Sequence, residues 1–212
     1  LSELGAHIYI GHKAEQVGEA SCIVYSSAIK PDNVELQEAR RRKIPLISRA
    51  EMLAELMRMK TSIAIAGTHG KTTTTSLIAT LLNSDSHLQP TAIIGGRLRS
   101  IRSGVIQGEG EILVAEADEF DQSFLKLHPT YVVITNIDND HLECYGSFDE
   151  LKRAFLQFTS NVPFWGKAIL CMEDPPLQDL IPVINRPLIT YGLSPQADIQ
   201  AADIQFENRA TR

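Results

Sequence analysis

The sequence is poor in cysteine, and long apolar runs are missing from it. Its three cysteines, Cys22, Cys144 and Cys171, lie far apart and form no Cys-x-x-Cys pair. This sparse set argues against a disulfide framework and is typical of a reducing compartment. No apolar run approaches the about 20 residues that a membrane-spanning helix needs. The sequence therefore predicts neither a disulfide-stapled protein nor an integral membrane protein.

Positive charge is also scarce, since 20 lysine and arginine residues stand against 26 aspartate and glutamate residues. The resulting net charge of -6 argues against nucleic acid or an anionic membrane surface as a partner. The contents of 43% apolar and 22% charged residues are those of an ordinary globular protein. These values predict a soluble, cytoplasmic protein whose partners are neither nucleic acid nor membrane.

What the sequence does contain is a series of short apolar runs separated by helical patterns. Six of these runs indicate strands: SIAIAG, TAIIGG, EILVAEAD, TYVVITN, KAILCME and PLITYG. They are nearly continuous rather than alternating, which is typical of strands buried on both faces of a parallel sheet. A strand–helix–strand–helix pattern precedes them. The sequence predicts an α/β fold, with a partial N-terminal domain over residues 1–59 and a mostly parallel central domain over residues 60–212.

The strongest chemical signal is AGTHGKTTTT, residues 66–75, which follows a buried strand and opens a helix. Gly67 and Gly70 allow a turn in which successive backbone N–H groups point inward. The N-terminus of the helix that begins near Lys71 attracts anions. The lysine adds a charge for β- and γ-phosphates, and the Thr72 hydroxyl is a ligand for Mg²⁺.

This glycine loop is shorter than the general P-loop, which has four residues between its glycines, because GTHGKT has two. Its position between a strand and a helix nevertheless predicts a P-loop for a nucleoside triphosphate. The predicted nucleotide-binding residues are Gly67, Thr68, His69, Gly70, Lys71, Thr72 and Thr73.

Two further strand ends carry polar clusters. The first presents Glu116, Asp118, Glu119 and Asp121, of which we expect one to bind Mg²⁺ and most of the others to be solvated loop residues. The second is TNIDNDHLECYG, in which His141 stands close to an asparagine and two aspartates. In this setting His141 is predicted to contact metal or phosphate.

Together the motifs AGTHGKTTTT, EADEFDQSFLKLHPT and TNIDNDHLECYGSFDELK resemble those of the Mur ligases, the ATP-dependent enzymes that build the peptide stem of bacterial cell-wall precursors. The resemblance covers residues 21–191 and is greatest to members that act on UDP-N-acetylmuramate and L-alanine. It implies ATP and Mg²⁺ as cofactors, a bacterial cytoplasmic location, and metal ligation by Thr72, Glu116 and His141. It further implies that Lys71 and His141 take part in catalysis.

The resemblance also implies a reaction and a larger protein. In the family, a substrate carboxylate attacks the γ-phosphate to give an acyl phosphate, from which an amine then displaces phosphate. The first domain of the family is Rossmann-like and begins with a glycine-rich turn for the uridine diphosphate, but no such turn precedes Ser21. A third, C-terminal domain is also expected. The sequence therefore predicts a partial chain that has no ligase activity alone.

Three alternatives are compatible with parts of the pattern. A recycling ligase that attaches a whole murein peptide to the same sugar nucleotide has a similar loop, although SSAIKPDN and TNIDNDHLECYGSF favour the alanine-adding type. Folate polyglutamate ligases share the architecture but normally lack the His-Gly-Lys-Thr run. A nucleotide-binding or nucleotide-hydrolysing module without a ligase step is the alternative from a different class.

Overall fold

The computed structural model describes residues 2, 5–98, 103–140, 142–207, 210 and 211. His141, a predicted metal ligand, therefore lies outside the described residues. The chain divides into two compact units, one ending at Leu53 and the other beginning at Ala54, whereas the sequence pattern puts the division between residues 59 and 60. Among the helices described, none combines the length and the apolarity needed to cross a membrane.

The helices and strands alternate along most of the chain. The helices are α1 (Val34–Arg41), α2 (Arg49–Arg58), α3 (Lys71–Asn83), α4 (Leu142–Tyr145), α5 (Phe148–Ser160) and α6 (Pro175–Leu180). The first six strands are β1 (Ile23–Tyr25), β2 (Leu46–Ser48), β3 (Thr61–Ala66), β4 (Thr91–Leu98), β5 (Ser103–Ile106) and β6 (Ile112–Glu116). The remaining strands are β7 (Tyr131–Ile134), β8 (Lys167–Cys171), β9 (Leu188–Gly192), β10 (Ile199–Gln200), β11 (Phe206–Glu207) and β12 (Ala210–Thr211).

The N-terminal unit contains a parallel pair of short strands, β1 and β2, connected by α1. The helix begins after Asn33, whose Oδ1 accepts hydrogen bonds from the backbone N–H groups of Glu35 at 2.9 Å and Leu36 at 3.4 Å. These bonds satisfy two of the amides that the first turn of a helix leaves unpaired. Leu36 and Ala39 are buried, so α1 packs its apolar side inward.

The second unit is built on an eight-stranded sheet with the order β10-β9-β8-β7-β3-β6-β4-β5. The neighbouring strands are parallel except for β4 and β5, which form an antiparallel pair. All six predicted apolar runs form strands of this sheet. The prediction of an α/β fold with a mostly parallel sheet is therefore confirmed.

Apolar packing holds the helices against this sheet. Ala79 of α3 belongs to the same buried cluster as Ile65 of β3. A second group is aromatic, since the ring of Phe124 packs on Phe155 and Phe158 of α5 with ring centroids 5.3 and 4.8 Å apart. All three phenylalanines are fully buried, which fixes the segment that follows β6 against α5.

The candidate site lies at the carboxyl edge of the sheet. There β3 is flanked by β6 and β7, and Ile65 of β3 stands opposite Glu116 of β6. On the other side Ala66, the last residue of β3, stands opposite Ile134 of β7. Because all three strands run parallel, the segments that follow them meet at one edge, where ligands bind in open α/β sheets.

Candidate functional site

The two glycines of the loop between β3 and α3 have different roles. Gly67 has a φ of +126°, and a Cβ at this position would lie 2.2 Å from Thr135 Oγ1 and 3.0 Å from the carbonyl oxygen of Asn136. Gly70 has a φ of +81°, but a Cβ added to it would meet no heavy atom of the described residues within 4 Å. Gly67 therefore permits close packing of two loops, whereas Gly70 only provides the left-handed turn before the helix.

The first turn of α3 has no side-chain cap, because its N-cap residue is Gly70. The first main-chain bond of the helix runs from the Thr74 N–H to the Gly70 carbonyl at 2.9 Å. Backbone N–H groups at an uncapped helix start, together with the helix dipole, form a ready anion site. Thr73 lies in this turn with its side chain exposed.

The loop after β7 holds the glycine loop through its backbone. Asn136 accepts a hydrogen bond from the His69 N–H at 2.8 Å and donates one from Nδ2 to the His69 carbonyl at 3.0 Å. Thr135 Oγ1 donates to the same carbonyl at 2.7 Å. These contacts join residues that are far apart in sequence, and they fix the glycine loop in one conformation.

Asp138, on the same loop as Asn136, also contacts the glycine loop. Its backbone N–H donates to Thr68 Oγ1 at 2.9 Å, and its carboxylate lies 3.2 Å from His69 Nε2. The Asn139 N–H, and after it His69, lower the pKa of the Asp138 carboxyl. Asp140 is exposed. Asn136 and Asp138 therefore both hold the glycine loop in place.

Replacing Asn136 with alanine should loosen the glycine loop. Two hydrogen bonds to His69 are lost, and each contributes about 1 kcal/mol, so we expect the affinity for Mg-ATP to fall by up to about thirtyfold while the fold is retained. Isothermal titration calorimetry measures the change. Asn139→Ala is the matched control, because its backbone N–H bond to Asp138 survives; equal losses in both variants would contradict the role assigned to Asn136.

Lys71 is held inward at the start of α3. Its Nζ donates to the carbonyl oxygens of Gly67 at 2.7 Å and Thr68 at 3.3 Å, and to Glu119 Oε1 at 2.8 Å. The side chain is only 16% exposed. The lysine therefore closes the loop on itself and also pairs with a carboxylate.

Thr72 and Glu116, two predicted metal ligands, are hydrogen-bonded to each other. Thr72 Oγ1 donates to Glu116 Oε2 at 3.1 Å, and Glu116 Oε1 accepts from the Gly95 N–H at 2.7 Å. Adjacent oxygen ligands of an octahedral Mg²⁺ with bonds of about 2.1 Å are about 3 Å apart. The spacing of these two oxygens fits ligation of one such ion.

The acids that follow β6 differ sharply in environment. Asp118 and Asp121 are exposed, as expected for a solvated loop, but Glu119 is 1% exposed. Burial raises the pKa of the Glu119 carboxyl, while the bond from Lys71 acts in the opposite direction. The hydroxyl of Tyr145 donates to the Glu119 carbonyl oxygen. Glu119 is thus part of the site, a role that the sequence pattern does not indicate.

Within the described part of the chain, no three histidine, cysteine, aspartate or glutamate side chains come together as a metal centre. His141 is outside that part. Of the predicted metal ligands, the structure brings together Thr72 and Glu116.

A cleft of about 410 Å³ opens beside the glycine loop. This volume is in the range of small-molecule pockets. Its lining includes His69, Asn136, Phe148, Asp174 and Pro175. Asp174, which follows β8, is not among the predicted site residues; it caps α6 by accepting from the Leu177 N–H at 3.0 Å. The Asp-Pro pair at 174–175 is the sequence signal for such a cap.

Comparison with known proteins assigns the chain to one family. Residues 65–212 match the model of the Mur ligase middle domain, and residues 1–61 match that of the Mur ligase family, catalytic domain. The chain is 55% identical over 211 residues to the UDP-N-acetylmuramate–L-alanine ligase of Syntrophotalea carbinolica, covering 100% of this chain and 46% of the relative. The ligase of the same name from Aquifex aeolicus is 52% identical over 207 residues, covering 98% and 45%.

Solved structures agree with the sequence relatives. The crystal structure of the UDP-N-acetylmuramate-alanine ligase of Thermotoga maritima is 28% identical with a TM-score of 0.75, covering 92% of this chain and 44% of that one. The UDP-N-acetylmuramate:L-alanyl-gamma-D-glutamyl-meso-diaminopimelate ligase of Neisseria meningitides is 25% identical with a TM-score of 0.77, covering 90% and 64%. The chain spans less than half the length of the two curated relatives. It belongs to the Mur ligase family.

Proposed function

We propose that the protein to which this chain belongs is an ATP-dependent ligase that joins L-alanine to UDP-N-acetylmuramate. The chain supplies the site for Mg-ATP. The observation that carries this proposal is the arrangement of Lys71, Thr72 and Glu116 around the uncapped start of α3. We further propose that residues 1–59 belong to a Rossmann-like domain for the UDP-substrate and residues 60–212 to the central domain.

The residues of the chain would act mainly by positioning. The backbone N–H groups at the start of α3 and the Lys71 ammonium would bind the phosphates of ATP. The γ-phosphate would then be aligned for attack by the carboxylate of UDP-N-acetylmuramate, and the amine of L-alanine would displace phosphate from the acyl phosphate. Phosphoryl transfer depends mostly on such alignment and on neutralisation of charge.

Thr72 and Glu116 would hold Mg²⁺, which when bound supplies neutralisation of the phosphate charge. Two features support them as ligands: the spacing of their oxygens and the support that Glu116 receives from the Gly95 N–H. A Cβ at Gly95 would lie 2.7 Å from Glu116 Oε2, so a larger residue there would displace the carboxylate from its present position. His141 is our third proposed ligand, on the basis of the family resemblance.

The first experiment measures Mg-ATP binding by the purified chain. Glu116→Gln should weaken ATP binding at least about tenfold when Mg²⁺ is present, because a charged ligand is lost. Without metal the same substitution should not weaken ATP binding and should tighten it if anything, because it removes a like charge near the phosphates. Asp121→Asn removes the same charge from an exposed loop position and serves as the control. A Glu116→Gln variant with unchanged Mg²⁺ dependence would remove Glu116 from the metal site.

The second experiment tests the ligase reaction with the complete protein. Phosphate release that depends on both UDP-N-acetylmuramate and L-alanine, together with the ligated product, is the expected result. Release with nucleotide alone would favour a hydrolysing module instead.

The murein peptide ligase is the second candidate, because the Neisseria structure has a TM-score as high as the Thermotoga one. The relatives at 52–55% identity carry the name of the alanine ligase, which favours L-alanine. If the complete protein used L-alanyl-gamma-D-glutamyl-meso-diaminopimelate in place of L-alanine, the murein peptide ligase would become the preferred function.

A further inference from the structure

Without nucleotide, each N–H donor of the Lys71 ammonium already has a hydrogen-bond acceptor. An ammonium has three N–H donors, and the described residues offer it three acceptors: the Gly67 and Thr68 carbonyls and Glu119 Oε1. A phosphate that approaches this lysine must therefore replace or share one of these bonds. Of the three acceptors, Glu119 alone carries a full negative charge.

Glu119 is held firmly in place. Its side chain is 1% exposed, and its backbone carbonyl accepts hydrogen bonds from the Tyr145 hydroxyl and from the Gln122 N–H. The next large residue along the chain that is buried, Phe124, packs against α5. The backbone of Glu119 is therefore anchored, and its buried carboxylate lies beside the lysine of the phosphate site.

The second carboxylate oxygen of Glu119 adds an independent observation. Oε2 is buried and has no hydrogen-bond partner among the described residues. A buried carboxylate oxygen without a partner costs stability. Because the unpartnered oxygen of Glu119 does not help the chain to fold, we look for its role in the site, where it lies beside the lysine proposed to bind phosphate.

We propose that Glu119 is a positioning residue that holds Lys71 in the nucleotide-free loop and limits the affinity of the site for polyphosphate by competing for the lysine charge. The proposal rests on the proposed function of the loop as a nucleotide site. It assigns to Glu119 a different task from that of Glu116, which faces Thr72 rather than the lysine. The consequence is a site that releases nucleotide more readily than a bare P-loop lysine would allow.

Glu119→Gln is the decisive substitution. Glutamine keeps the volume and the oxygen that accepts from Lys71, and its amide replaces an oxygen that has no partner in the described structure. The lysine stays in position, but the competing charge is gone. We expect the dissociation constants for Mg-ATP and for inorganic triphosphate to fall about tenfold, because a nearby like charge opposes anion binding.

Calorimetric titration of the purified chain with Mg-ATP and with inorganic triphosphate makes this test. Asp121→Asn is the matched control, since it removes the same charge from an exposed residue of the same loop; its affinity should change less than about twofold because solvent and salt screen exposed charges. Glu119→Met is the second variant, an apolar side chain of similar length for a buried position. It should also bind Mg-ATP more tightly than the parent.

The outcomes separate the two proposals. If the parent chain binds no Mg-ATP, the proposed function of the loop fails. If the parent binds and the folded Glu119 variants bind equally or more weakly, Glu119 is a structural residue and only the further inference is overturned. Failure of both variants to fold, judged by circular dichroism, also overturns it.

Discussion

Replacing Gly67 with alanine should abolish Mg-ATP binding and destabilise the chain. The new Cβ would meet Thr135 Oγ1 at 2.2 Å and two backbone atoms at 3.0 Å, so the loop after β7 must move. The φ of +126° adds strain for any residue with a side chain. The steric overlap and the backbone strain together lower the free energy of unfolding by about 2–5 kcal/mol. Chemical denaturation measures the loss of stability, and calorimetry measures the loss of ATP binding.

Gly70→Asn is the control for this prediction. Gly70 also has a positive φ, but no atom in the described part of the chain lies within 4 Å of the Cβ position, and asparagine tolerates the left-handed region. We expect this variant to fold and to retain measurable ATP binding. If Gly67→Ala bound Mg-ATP like the parent, close packing of the two loops would not be needed for the site.

The sheet could be predicted because its signals are local. Six nearly continuous apolar runs are enough to indicate a parallel sheet covered by helices, and all six form strands. The strand β5 is not among the predicted runs. It has four residues, one of which, Gly104, would place a Cβ 2.8 Å from the Gly96 carbonyl oxygen. A short strand with a glycine at a close backbone approach leaves no periodic pattern to read.

The glycine loop can also be recognised from sequence, but the residues that support it cannot. The bonds between Asn136 and His69 join positions 67 residues apart. Only the strand order, with β7 beside β3, brings them together. In sequence, Asn136 and Asp138 are polar neighbours of His141, the residue that is predicted to contact metal or phosphate. Their hydrogen bonds to the glycine loop become visible only in the folded chain.

The burial of Glu119 likewise cannot be predicted from the sequence around it. Its sequence neighbours are Asp118 and Phe120, both exposed, so the local pattern indicates a solvated loop. Tyr145, which anchors its backbone, stands 26 positions further along the chain, and Lys71 stands 48 positions before it. The environment of this residue is decided by contacts between distant segments, which single-sequence patterns do not contain.

Lys71→Ala should eliminate Mg-ATP binding and also destabilise the fold. The sequence pattern predicts that the lysine faces phosphates rather than the core, so that its loss leaves the fold intact. In the structure the same substitution leaves Glu119 buried without its cation. Removing one partner of a buried ion pair typically costs about 3–5 kcal/mol, and we expect about 3 because Lys71 is 16% exposed.

The double variant Lys71→Ala/Glu119→Gln separates the two effects. It removes the unpaired carboxylate, so we expect urea denaturation to show that most of the lost stability returns. ATP binding should remain absent, because no cation is restored at the loop. A Lys71→Ala chain as stable as the parent would show that the ion pair does not contribute to folding. Parent-like ATP binding by that variant would remove the lysine from the phosphate site, and with it the basis for assigning competition to Glu119.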